Sequence, residues 1–310
     1  MEAAFEALYE LGRFLRDADY RFVSVTPATH ARVQENALRR GRTHARTLRD
    51  VFGWNLPFEP DDLPRVVLDA LQAAGACQQT ESGLRATVRF ATLGDELFVH
   101  SGHPTLDKDA VFFGPDTVRF CAALRRWLAA DSRVYERMVD VGCGSGAGGI
   151  IARPYARELV LADINTRALR FAEVNAALAG ASAVTRRSDI LAQVDGPIDA
   201  VLANPPYLID DRARVYRDGG GRYGEGLSLR IVEESLARLQ PGGLLILYTG
   251  TAVVDGTDVF RRAVEPLLSE ASERWQYEEI DPDVFGEELA LEPYAEVERL
   301  AAVALRAIKR

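Results

Sequence analysis

The sequence predicts an α/β fold: a doubly wound, mainly parallel sheet preceded by a small unit of helices and a hairpin. Three observations carry this. Met138, Val139 and Val141 form an apolar, β-prone run that meets Gly142, Gly144 and Gly146 before a helical stretch, and strand, glycine turn and helix open a βαβ unit. Apolar runs at 159–163, 183–187 and 198–203 then alternate with helical patterns, and each ends at or beside a polar residue, Asp163, Asp189 or Asn204. Before residue 105 the hydrophobic period changes from 3.6 to 2, as helices followed by a hairpin would require. A chain of 310 residues suggests two domains, a helical plus hairpin unit over 1–105 and the sheet domain over 106–310.

In chain order, Phe5, Leu8, Tyr9, Leu11, Phe14 and Leu15 recur at helical spacing and predict a core-facing helix over 3–18. Pro27 opens a second helical stretch in which Arg32, Arg39, Arg40, Arg42, Arg46 and Arg49 outnumber Glu35 and Asp50. It is either a contact surface for phosphate or an acidic partner, or a solvated face. Val66, Val67, Leu68, Leu71 and Ala74 share a face in a third helix at 63–76, with Gly75 as its stop. Leu84, Ala86, Val88 and Phe90 alternate with Arg85, Thr87 and Arg89, and 93–99 resumes as the partner strand of one hairpin. The arrangement is winged-helix-like and suits a substrate holder, a dimer interface or a brace.

Residues 103–117 lead into a helix at 118–128. Thr166 can cap a helix that buries Leu169, Phe171, Ala172, Val174 and Leu178. The run 208–226, with Arg212, Arg214, Arg217 and Arg222, is too polar and glycine-rich for core and reads as a mobile substrate loop. Its arginines are either ligands for an anionic group or solvated. A helix from 226, a turn and then a fifth strand within 239–248, and a last pair of strands at 275–280 and 300–308, an antiparallel edge, complete the sheet. Residues 278–298 hold nine carboxylates and no lysine or arginine. They form either a solvated loop or a field that repels polyanions.

Composition narrows the function classes. A mixture of 47% apolar and 27% charged residues is ordinary globular stock, and a net charge of −9 argues against a general nucleic-acid coat. Cys77, Cys121 and Cys143 are far apart, so neither a disulfide framework nor a zinc site is expected. His100 and His103 flank a glycine without a third ligand nearby and read as a turn rather than a metal site. No apolar run approaches ~20 residues and the amino terminus lacks a basic start, so a cytoplasmic protein without membrane partners is expected.

A Gly-x-Gly-x-Gly turn alone fits several cofactors. Four elements in order are more specific: the glycine turn, Asp163 after the second strand, Asp189 after the third, and Asn204-Pro205-Pro206-Tyr207 after the fourth. Over 137–248 the chain thereby resembles the class I S-adenosylmethionine-dependent methyltransferases, whose domain is a seven-stranded Rossmann-like sheet. The tetrapeptide resembles the signature of enzymes that methylate a planar nitrogen, the exocyclic amine of adenine or the amide of glutamine. Glu225-Gly226-Leu227 and Arg230-Ile231 narrow the likeness to the HemK-like glutamine-N5 methyltransferases. The chain departs from them in Tyr248-Thr249-Gly250, where that family has an acidic strand end, in lacking a Pro-Arg-x-Glu-Thr pattern before the glycine turn, and in its amino-terminal arrangement.

The resemblance implies that S-adenosyl-L-methionine is held by Asp140, Gly142, Cys143, Gly144, Gly146, Asp163, Ile164, Asn165, Asp189, Ile190, Asn204 and Thr117. Asp163 would accept from the ribose hydroxyls, Asp189 would bond the adenine amine with Ile190 against the ring, and Asp140 either reaches the methionine amine or serves helix entry. Phe112, Phe113 and Thr117 would form the substrate mouth, or an apolar seam, and Arg217 and Arg222 would meet the acceptor. Asn204 and the Pro205 carbonyl would each accept an N–H of a delocalised nitrogen, Pro206 would stiffen the turn, and Tyr207 would stack on the acceptor. The acceptor expected first is a protein glutamine, then adenine in RNA or DNA, then a biosynthetic small molecule methylated on N or O. A methyl-donor-binding protein without transfer activity is the non-enzymatic alternative.

Overall fold

The computed structural model describes residues 2–105, 107–210, 214 and 216–310. The first hundred residues give helices α1 (Glu2–Asp17), α2 (Pro27–Arg39), α3 (Leu48–Phe52) and α4 (Arg65–Ala73), then strands β1 (Cys77–Thr80), β2 (Gly83–Ala86), β3 (Val88–Leu93) and β4 (Glu96–Ser101). Thr26 caps α2 by accepting from Thr29 N, and Pro27 occupies its first turn. The expected single arginine-rich helix is interrupted. α2 ends at Arg39, Arg42 turns back to pair with buried Asp50 at 2.7 Å, and Arg49 lies over the Phe22 ring. The basic residues therefore share no one face. Val66 is 58% exposed and leaves the buried face of α4 to Val67, Leu68 and Leu71.

The expected single hairpin is two. β1 pairs antiparallel with β2 and β3 with β4, so 84–90 is no continuous strand. Thr87 separates them, and its N–H goes to Ala76 O. Alternation of apolar residues continued across that break and hid it.

After α5 (Pro115–Asp131) the chain alternates β5 (Tyr135–Val141), α6 (Ala147–Ala152), β6 (Ala156–Asp163), α7 (Thr166–Leu178), β7 (Val184–Arg187), β8 (Ile198–Ala203), α8 (Gly226–Arg238) and β9 (Leu239–Val254). The two-residue β10 (Thr257–Asp258), α9 (Val259–Ala271), β11 (Ser272–Asp281) and β12 (Arg299–Lys309) follow. The sheet order is β11-β12-β9-β8-β5-β6-β7, with β10 paired off this path to β9. β5 through β9 are parallel, while β12 runs antiparallel to both β9 and β11. The reversed strand is thus one in from the edge, and β11 runs with the rest.

Central strands buried on both faces need apolar residues throughout. Val139, Val201 and Leu245 are each 0% exposed, and 244–248 is buried without interruption. Asn165, not Thr166, caps α7, its side chain accepting from Arg167 N and Ala168 N. The core of the first hundred residues extends onto Ala168, Phe171, Val174 and Leu178 of α7. Fully buried Asn175 ties the two parts together: its amide accepts from Val99 N at 2.7 Å and donates to Val99 O at 3.0 Å and Ser145 O at 2.9 Å. Among the described residues no helix is long and apolar enough to cross a membrane.

Candidate active site

In an open α/β sheet the strand order reverses where chain direction diverges from a shared first strand, leaving a crevice at the carboxyl ends. Here that point lies between β5 and β8, and a cavity of about 400 Å³ opens there. The glycine turn forms its floor. Gly142 and Gly144 have φ of +64° and +54°, and a Cβ on either would meet no atom within 4 Å. Glycine is needed for the left-handed backbone, and the space above it stays open to a ligand. Gly146 behaves differently and is a correction. It caps α6 with φ +77°, faces Ala172, Ile150 and Leu161, and does not line the cavity. Gly148 lines it instead, where a Cβ would come within 3.0 Å of the Asp140 Oδ2.

Three carboxylates stand along this floor. Asp140 is 2% exposed and its Oδ2 accepts from Gly149 N at 2.7 Å, which realises the helix-entry role while leaving the residue in the cavity wall. Burial, with the Asp163 charge adding to it, pushes the Asp140 carboxyl up to about 7. Asp163 accepts from Gly144 N at 2.9 Å through Oδ2 and from Asn165 N at 2.8 Å through Oδ1, and burial raises its pKa too. The Ile164 N–H also bonds the carboxylate, whose remaining lone pair faces the cavity. Asp189 is half exposed, 3.4 Å from Arg230. Ile190 beside it has φ +49°, an outlier for a β-branched residue, and such strain collects at functional sites.

Cys143, Ile164, Asn165, Thr117 and all of Asn204, Pro205, Pro206 and Tyr207 also line the cavity. Ile164 is 51% exposed, an apolar side chain left on the rim. The Asn165 amide that caps α7 also donates to Asp109 O at 2.8 Å, fastening residues 109–112 beside the crevice. The Asn204 side chain makes no hydrogen bond among the described residues and is available to a ligand.

Tyr207 is held rather than free. It is 8% exposed, meets Phe285 edge-on at 6.0 Å, and packs on Gly250, where a Cβ would fall 2.1 Å from its ring. Its hydroxyl is buried without a hydrogen-bond partner, and burial followed by the Asp116 charge drives the phenol far up. The departure Tyr248-Thr249-Gly250 thus has a steric content: Gly250 makes room for Tyr207. Tyr248 donates to Asp116 Oδ1 at 2.9 Å, and Arg119 bonds the same oxygen at 3.2 Å. Asp116 lines the cavity, and burial raises its carboxyl against these partners.

The loop after the motif corrects three further expectations. Arg212 lies outside the described residues. Gly219 and Gly224 are packed on the motif: Gly219 N donates to Leu208 O at 2.8 Å, and a Cβ on Gly224 would sit 2.1 Å from Tyr207 O. Arg214 pairs with Asp210, Arg217 pairs with Glu288 and Asp210, and both line the cavity with their charge already matched. Arg222 is 70% exposed, pairs with Glu296 at 2.6 Å and does not line it. The acidic stretch is partly neutralised, since Arg126, Arg299 and Arg119 also take Glu278, Glu279 and Asp281.

Phe112 lines the cavity and stacks on Tyr216 at 6.2 Å, whereas Phe113 is 1% exposed against Phe98 and His100, in the core rather than at the mouth. Sequence reading missed Asp116, Tyr216, Phe285 and His103 as cavity residues. Asp116 carried a signal, an acid in the first turn of the helix beside Thr117. Phe285 carried none, because only the fold of 282–298 brings it over Tyr207.

The methyltransferase small domain family matches residues 121–253. A release factor glutamine methyltransferase of Deinococcus radiodurans is 33% identical over 165 residues, 49% of this chain and 55% of its own. One of Borreliella burgdorferi is 26% identical over 140 residues, 41% of this chain and 49% of its own. A ribosomal RNA small subunit methyltransferase C of Shewanella loihica is 37% identical over 111 residues, 35% of this chain and 29% of its own. The chain spans about half the length of the release factor relatives it matches. Residues 121–253 match the methyltransferase small domain family, and the glycine turn and the reversed penultimate strand agree with the class I S-adenosylmethionine-dependent methyltransferase fold.

Proposed function

We propose that the protein transfers a methyl group from S-adenosylmethionine to a planar nitrogen, with a protein glutamine amide as the acceptor. The observation that carries this is the unpartnered Asn204 amide at the carboxyl end of β8, in one cavity with the open backbone of Gly142 and Gly144. The residues fit the donor: no Cβ obstructs Gly142 or Gly144, and Asp163 and Asp189 offer acceptors on the same wall. When bound, the donor supplies an already activated methyl group, so the protein need only bind, orient and desolvate.

An amide nitrogen is a poor nucleophile because its lone pair is delocalised into the carbonyl. The Asn204 side-chain oxygen and the Pro205 carbonyl can each accept one of its N–H bonds, orienting the nitrogen and stabilising the positive charge that grows on it. Their effect depends on pre-organisation. Buried Tyr207, wedged between Gly250 and Phe285, anchors the proline turn, and Phe112, Tyr216 and Phe285 give the acceptor end an aromatic lining. That lining suits a neutral planar group.

The relatives named release factor glutamine methyltransferase favour the glutamine reading. The match to ribosomal RNA small subunit methyltransferase C keeps a nucleobase as the second reading, against a net charge of −9. The test is transfer of isotope-labelled methyl into a cell extract separated into protein, nucleic acid and small molecules. Label in protein with wild type and at least 100-fold less with Asn204→Ala, at unchanged donor affinity, supports the proposal. Label confined to RNA would replace the acceptor, and donor binding without label in any fraction would leave a binding protein.

A further inference from the structure

Arg89 on β3 is 4% exposed and has no carboxylate partner among the described residues. Its hydrogen bonds are Nε to Ser101 O at 3.4 Å and Nη1 to His30 Nδ1 at 3.1 Å, few and long for a buried guanidinium with five N–H donors. A buried cation without a counter-anion is costly, because no neighbouring charge repays its lost hydration. Three histidines surround it, and none supplies the missing charge. Burial first, then Arg89, draws His30 down to about 3, His103 to about 4 and His100 well below its usual range.

Their tautomers follow from their partners. His30 Nε2–H donates to Trp54 O at 2.9 Å, so its Nδ1 is the lone pair facing Arg89. His100 Nδ1–H donates to Ser101 O at 3.1 Å, and its Nε2 is buried with no partner. His103, stacked on His30 at 4.1 Å, also has a buried Nδ1 with no partner, and it lines the cavity. An unmatched cation and two orphaned imidazole nitrogens are what a missing anion leaves behind, because an oxyanion would satisfy Arg89 and the imidazoles once protonated. The cavity's own arginines, Arg214 and Arg217, are already matched by Asp210 and Glu288.

We propose that Arg89 and His103 form a subsite for a single oxyanion, carboxylate or phosphate, carried by the methyl acceptor and entering past the His103 wall of the cavity. It rests on the methyltransferase reading for the identity of its ligand, but its anion-binding chemistry does not.

The test titrates the whole chain with inorganic phosphate and with acetate against chloride at equal ionic strength, following histidine carbon-13 NMR signals, with S-adenosylmethionine affinity measured alongside. Phosphate or acetate should move the His30 and His103 signals of wild type saturably. Arg89→Met should weaken that binding at least tenfold while S-adenosylmethionine affinity stays within twofold. Removing a buried unmatched cation should not unfold the protein; if it does, Arg89→Lys and His103→Phe, the latter preserving the stack on His30, read the same loss. No saturable shift in wild type, or equal anion affinity in folded Arg89→Met, would overturn the subsite. A tenfold loss of S-adenosylmethionine affinity in Arg89→Met would overturn the acceptor assignment and give the anion to the donor. Failure of wild type to bind S-adenosylmethionine at all would overturn the acceptor assignment and the function proposed above, but not the anion site if phosphate or acetate still moves the histidine signals.

Discussion

At Gly250 a single missing Cβ decides where the last residue of the Asn-Pro-Pro-Tyr motif goes. A methyl group there would fall 2.1 Å from the Tyr207 ring, so Gly250→Ala should destabilise the fold by about 1–3 kcal/mol and displace Tyr207. Urea midpoints and methyl transfer measured together check this: both should fall, and a variant with wild-type stability and turnover would refute the wedge. His30 sets a pH limit. Its pKa is about 3 in the folded chain and about 6.5 in the unfolded one, so the unfolded state binds more protons between those values. Its contribution is complete above pH 6.5 and is lost as pH falls. By pH 5 the loss should be about 1–2 kcal/mol. Asp140, raised to about 7 by burial, acts with the opposite sign but is common to both proteins compared. Urea unfolding of wild type and His30→Gln at pH 7 and pH 5 should therefore show their stability gap narrowing at pH 5. Tyr207 was legible from the sequence as a site residue. Its packing was not, because Gly250 and Phe285 come to it from distant parts of the chain.

At the scale of elements, ends and turns were less legible than strands. Period-2 and period-3.6 patterns placed β5, β6, β8 and α7 well, since core burial imposes those periods directly. Caps and breaks obey local hydrogen bonding and escaped the pattern. Asn165 rather than Thr166 caps α7, and Asn165→Ala should cost about 1 kcal/mol, read as a lower urea midpoint, with Thr166→Ala near neutral. Gly146 is required by its φ of +77° and by Ala172, whose Cβ lies 3.2 Å from where a new methyl would sit. Gly146→Ala should therefore cost about 1–2 kcal/mol; Gly144→Ala, with φ +54°, should cost a similar amount, so a thermal shift should fall in both, and a donor-binding measurement separates them, since only Gly144→Ala should also lose donor affinity. Gly219 and Gly224 make the same point, since polarity suggested mobility whereas close approach to the Tyr207 backbone explains them.

Across the whole molecule, one buried amide links the amino-terminal helices and hairpins to the sheet. Asn175→Ala would strand the Val99 N–H and two carbonyls in the interior, a loss of about 3 kcal/mol, and should split a single unfolding transition into two by calorimetry. A single transition at the wild-type midpoint would show that the shared apolar contacts on α7 suffice. The acidic run 278–298 shows how charge is misread locally: five of its nine carboxylates meet arginines from 119, 126, 217, 222 and 299, so more than half of its charge, and that of Arg217 and Arg222, is already matched. Sequence alone determined the α/β sheet, the glycine turn and the order of Asp163, Asp189 and Asn204, and hence the methyltransferase resemblance, because backbone conformation and strand burial are written in consecutive residues. Tertiary structure decided which side chains share the cavity, which charges cancel, and that Arg89 is buried among histidines without a counter-ion, because those depend on residues that only folding brings within a few ångströms of each other.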